Sequence, residues 1–89
     1  MPYIVKERRQ DFSPVAYGMP PAETVGDLNF QLTEVINHYM HSLTHYRGKL
    51  TYGTCNDIIG AIESCKLEFY RRVVVPYENT KIEENGDCY

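Results

Sequence analysis

The sequence predicts an all-α fold, and three observations carry that prediction. Apolar residues recur at three- and four-residue steps through two long stretches, 27–46 and 54–75. Between them, RGKLTYGT sets Gly48 and Gly53 around a loop of the length usual between packed antiparallel helices. Four of the five prolines, at 2, 14, 20 and 21, fall before both stretches. The expected architecture is one small domain over 1–89. It comprises an irregular N-terminal segment (1–26), a helical hairpin (27–46 and 54–75) and an extended C-terminal tail (76–89), completed into a helical bundle by oligomerisation.

In the N-terminal segment, SPVAYGMPPAETVG keeps no sustained period and reads as loop. A short helix or turn fits Lys6 to Phe12, with Tyr3, Ile4, Phe12 and Val15 available to cover the body of the domain. The first long helix starts after Gly26, with Asp27 as N-cap, and its stripe runs Leu28, Leu32, Val35, Ile36, Tyr39, Met40, Leu43 and Tyr46. Thr54 and Asp57 stand in capping-box spacing at the start of the second helix. Its face is Cys55, Ile58, Ile59, Ile62, Cys65, Phe69 and Val73. Arg71 and Arg72 suit the negative pole of the helix dipole, Glu68 can pair with Arg72 at i,i+4, and Pro76 is the expected stop.

Gly60, Leu67 and Val74, seven residues apart, lie opposite that face, so the second helix carries two apolar strips and calls for two neighbours. One is the first helix. The other is either the N-terminal segment or the same helix of a second subunit, and the thin core available to 89 residues favours the subunit.

Composition narrows the function. A content of 43% hydrophobic and 24% charged residues is that of a folding chain. A net charge of −3 argues against general nucleic-acid binding. No run of 18 apolar residues occurs, and the N-terminal stretch turns charged by Lys6, so neither a membrane span nor a secretory signal is expected and the cytoplasm is the default location. Cys55, Cys65 and Cys88 form no CxxC pair and read as reduced thiols, the first two packing as small hydrophobes.

Three constellations bear on chemistry. His38, His41 and His45 share a narrow sector of the first helix with Glu34 and Asp27. An i,i+4 histidine pair can bind metal, but HExxH is absent and the sector equally suits a solvated polar face. Glu63 and Glu68, with Glu83, Glu84 and Asp87, invite comparison with carboxylate-clustered Mg²⁺ hydrolases, yet a five-residue step sends Glu63 and Glu68 to different sectors. Tyr70, Arg71 and Arg72 precede PYENTK, so stacking surface and guanidinium groups meet at the start of the tail; such a mixture either binds a ligand or anchors the tail. Asn85-Gly86-Asp87 is a turn signal.

GDLNF at 26–30, IESCKLEFYRRVVVPYE at 62–78 and KIEENGDCY at 81–89 together resemble a small domain-of-unknown-function family of bacteriophages and scattered prokaryotes. Its members carry a GDLNY-like start, an E-x-x-K-L-E-x-Y-R-R helix and a terminal P-Y-E-x-x-K-x-x-E-N-G-D-x-Y. The resemblance covers about two thirds of the chain, is most specific in the tail, and departs before Gly26. It implies a phage-type or prokaryotic cytoplasmic accessory protein and no particular activity. The matching positions include Asp27, Asn29, Glu63, Lys66, Glu78 and Tyr89 beside the aromatic and basic residues above.

The functional expectation is a non-enzymatic, homo-oligomeric binding module without metal or cofactor. Its site is Tyr70, Arg71, Arg72, Tyr77 and Lys81, joined by Asn85 and Asp87 from a neighbouring chain, and its ligand is a nucleotide-like anion, since these positions combine positive charge with stacking surface. The alternatives are a protein-interaction element acting through its tail on a host or phage protein, and a metal-dependent hydrolase built on the histidines or carboxylates.

Overall fold

The computed structural model describes residues 4–13 and 18–89, which are mostly helical and contain no strand. Tyr3 and Val15, expected to cover the domain body, lie outside the described residues. The chain divides into two compact units, Met1–Thr51 and Tyr52–Tyr89.

The first unit opens with a single turn, α1 (Lys6–Arg9), prolonged by backbone bonds from Asp11 N–H to Arg8 C=O (3.1 Å) and Phe12 N–H to Arg9 C=O (3.1 Å). The Arg8 guanidinium lies over the Phe12 ring at 5.5 Å. Ile4 and Phe12 are exposed. The long helix α2 (Val25–Arg47) begins two residues before the sequence reading placed it. Its cap is Thr24, whose hydroxyl accepts from Asp27 N–H at 3.0 Å, while Asp27 Oδ2 accepts from Glu23 N–H at 3.1 Å. Asp27 is therefore the third helical residue closing a reciprocal cap, not the cap itself, because a Thr three residues upstream satisfies its orphan N–H. Gln31 Nε2 donates to Pro20 C=O at 2.6 Å and so fastens the proline-rich approach to the helix. Gly48 ends α2 at φ 80°, a left-handed conformation, and its N–H returns to Thr44 C=O at 2.7 Å.

Of the apolar stripe expected on α2, Ile36, Met40 and Leu43 are half-buried, whereas Leu28, Leu32, Val35, Tyr39 and Tyr46 are exposed. Thr33 and Ser42 turn their hydroxyls back to the carbonyls of Asn29 and His38 (both 2.9 Å), the usual way such side chains satisfy themselves inside a helix.

The second unit departs most from expectation. Helix α3 (Tyr52–Phe69) starts at Tyr52, with Gly53 inside the helix, so Thr54 is not a cap. Instead it lies in the first turn and is 1% exposed, the only buried side chain among the described residues. Helix α3 then passes without a break into a π-helical turn (Tyr70–Val74) and on into α4 (Val75–Asn85). Pro76 does not stop the helix, and the extended tail over 76–89 is helical as far as Asn85. The reason is local: within the π turn Val75 N–H donates to Tyr70 C=O, five residues back, and this wider turn leaves room for a proline ring and tolerates its missing N–H. The stop comes at Gly86, at φ 88°, whose N–H bonds Ile82 C=O at 2.8 Å. Beyond it Asp87 Oδ1 accepts from Tyr89 N–H at 2.9 Å.

The π turn also resets the apolar pattern. Ile58, Ile62, Cys65, Phe69, Val73 and Tyr77 are spaced four, three, four, four and four residues apart, and each four-residue step advances about 40° past a full α-helical turn. Two such steps beyond Phe69 would carry Tyr77 off the stripe. A π turn absorbs one residue, so the stripe continues as alternating threes and fours. On the opposite side the same reset puts Val75, not Val74, in line with Gly60 and Leu67, and adds Ile82 seven residues on. No hydrophobic side chain is buried among the described residues.

Candidate functional site

The expected ligand residues lie along the second half of this continuous helix. Glu68 organises the first group. One of its carboxylate oxygens accepts from Arg71 Nη2 and the other from Arg72 Nε, so a single acid holds both guanidiniums. The i,i+4 pair was legible from spacing; the i,i+3 partner Arg71 was missed, although that spacing is equally permissive. Glu68 is 19% exposed at its side chain and the arginines 71%, so the acid lies beneath two outward-facing cations.

Tyr77 and Lys81, one turn apart on α4, form the second group. Lys81 Nζ sits 5.5 Å from the centre of the Tyr77 ring and 3.2 Å from Glu84 Oε2. Asn85 is the last helical residue and Asp87 is occupied by the turn after Gly86. Within one chain the contacts run inside each group: the arginines reach back to Glu68, and Lys81 reaches forward. From Tyr70 to Asn85 the candidates span about 22 Å of helix. They stand on the outside of a rod, whereas small-ligand sites are concave, so enclosing a ligand here requires a second surface.

The other constellations stay apart. Glu63 pairs with Lys66 at 3.4 Å and not with Glu68. His38, His41 and His45 are exposed, with the rings of His45 and Tyr46 edge to face at 5.9 Å. No group of three His, Cys, Asp or Glu side chains is arranged to hold a metal among the described residues. All three cysteines are free thiols; Cys55 is half-buried, but Cys65 is exposed and does not pack as a core residue.

What the sequence reading did not single out is the exposed apolar length of this helix. Phe69, Val73 and Tyr77, consecutive members of the stripe, are 59, 52 and 62% exposed, and Leu67 and Ile82 are exposed on the other side. No helix among the described residues is long and apolar enough to cross a membrane.

Fold and surface together define a small, mostly helical domain with a long C-terminal helix that displays apolar, aromatic and cationic side chains. The chain belongs to DUF6899, a domain of unknown function, which matches residues 1–88. The match takes in 1–26, the part where the motif resemblance lapsed. No curated protein and no solved structure matches the chain.

Proposed function

We propose that this chain is a non-enzymatic interaction module that docks another helical surface along its long C-terminal helix, in the manner of a phage-type cytoplasmic accessory protein. The carrying observation is the stripe through Ile62, Phe69, Val73 and Tyr77, kept continuous by the π turn yet exposed along its length. Large exposed apolar patches on small domains mark interaction surfaces, and side chains at three- and four-residue steps are what a helix-on-helix contact uses. Affinity capture from host extract with the native chain and with Val73→Asp tests the reading. A partner retained by the first and lost by the second is expected. Identical sets of retained proteins, with both chains equally helical by circular dichroism, refute it.

A second reading is favoured by the two guanidiniums gathered on Glu68. Together with Tyr70, Tyr77 and Lys81 they offer charge and stacking surface for a nucleotide-like anion, provided that a neighbouring chain closes the site. Under this reading, melting temperature rises in a panel of mono-, di- and cyclic nucleotides, and Arg71→Ala with Arg72→Ala abolishes the rise. A rise that survives the double change removes the arginines from the site.

A further inference from the structure

Among the asparagines of this chain, one differs from the rest in its neighbour and its place. Asn29 and Asn37 lie within α2, Asn56 within α3 and Asn79 within α4, and they precede Phe30, His38, Asp57 and Thr80. Asn85 is the last residue of α4 and precedes Gly86. An asparagine amide can be attacked by the backbone nitrogen of the following residue, because the ring that closes is small and unstrained. The attack needs an unhindered nitrogen and a backbone free to turn, and a following glycine meets both needs.

Two restraints hold this reaction back, and both belong to one turn. In the helical backbone at Asn85 the side chain leans toward the N-terminus, whereas the Gly86 nitrogen lies toward the C-terminus, so the two reacting groups are turned apart. The same nitrogen donates its proton to Ile82 C=O at 2.8 Å. That turn is a helix end, where fraying opens bonds readily. Gly86 itself stands outside the helix at φ 88° and ψ 153°, and a Cβ built there would meet no heavy atom within 4 Å. With Asn85 and Gly86 both exposed, the junction is open to water.

We infer that Asn85 is a deamidation site, gated by the last turn of α4 and loosening that turn once converted. When the turn opens, the Gly86 nitrogen gives its proton to solvent base and bonds to Cγ of Asn85, and the side-chain nitrogen leaves as ammonia. Water then opens the cyclic imide at either carbonyl, leaving aspartate or isoaspartate at 85. The net change is amide plus water to acid plus ammonia, with water the sole co-reactant. A carboxylate at 85 joins Glu83, Glu84 and Asp87 at the negative pole of the helix. Isoaspartate also lengthens the main chain by a methylene just before the N–H that bonds Ile82. The step is one-way, so each conversion leaves α4 with a looser end.

The full chain, kept native and separately unfolded in urea at the same mildly alkaline pH, tests this by mass-spectrometric mapping of its digested peptides over time. Aspartate and isoaspartate should appear at 85 in both, slower in the native chain by up to about a hundredfold, since a frayed end opens far more readily than the whole domain. Equal rates in the two states mean that the turn gates nothing, and they overturn the inference. So does a native chain that stays unconverted beyond that margin, or native conversion at Asn29, Asn37, Asn56 or Asn79 that keeps pace with Asn85. The loosening is read from Asn85→Asp, in which amide hydrogen exchange over 82–86 should quicken severalfold. Unchanged exchange there overturns that part of the inference.

Discussion

At the residue scale, the positions that govern this fold are those that satisfy backbone groups at helix ends. Thr24 and Asp27 close the start of α2 between them, and the hydroxyl of Thr24 takes an N–H that would otherwise face only water. Thr24→Ala should cost about 1 kcal/mol, read as a lower denaturant midpoint at unchanged slope. Gly48 and Gly86 are the described residues at positive φ, and each sits where a helix stops. Sequence reasoning found the glycine after α2 but overlooked Gly86 as the stop of α4, because Pro76 offered a stronger-looking signal ten positions earlier. A missing donor is a penalty and not a prohibition, and one wide turn absorbs it.

At the element scale, the long helix shows how an irregularity in sequence becomes one in backbone. Three consecutive four-residue steps, from Cys65 to Tyr77, do not fit a regular α-helix, and the π turn falls among them. If its role is to hold the stripe in line, removing one residue is better tolerated than straightening the turn. Deletion of Val74 combined with Pro76→Ala should give a regular helix with Phe69, Val73 and Tyr77 still aligned, and should keep helical circular dichroism and self-association. Pro76→Ala alone, by allowing the turn to tighten, should rotate Tyr77 and all that follows by about 100° and weaken association while helicity holds or rises. Amide hydrogen exchange over 70–75 distinguishes the two backbones. The sequence reading carried this helix through the π turn to residue 75 and ended it at Pro76; the change of period within the turn was not legible, because periodicity was counted at one pitch.

At the scale of the whole molecule, the decisive fact is the absence of any buried hydrophobic side chain among the described residues, in a sequence that is 43% hydrophobic. The expected homo-oligomer predicts that melting temperature climbs with chain concentration, by several degrees over about a hundredfold range, as in any fold completed by association. A melting temperature independent of concentration would place the missing cover within a single chain. The candidate ligand residues divide at this scale as well: one chain gathers Arg71 and Arg72 on Glu68, and separately Tyr77 with Lys81.

The amino-acid sequence by itself determined the helical class, the break near Gly48 and the Glu68–Arg72 pair, since each follows from spacing or capping chemistry. Only the tertiary structure decided that the helix runs through Pro76 to Asn85, that a π turn realigns its stripe, that Thr54 is buried instead of capping, and that Phe69, Val73 and Tyr77 face outward. Those outcomes depend on how several weak local preferences compete along one continuous helix, and periodicity counted at a fixed pitch cannot register a change of pitch.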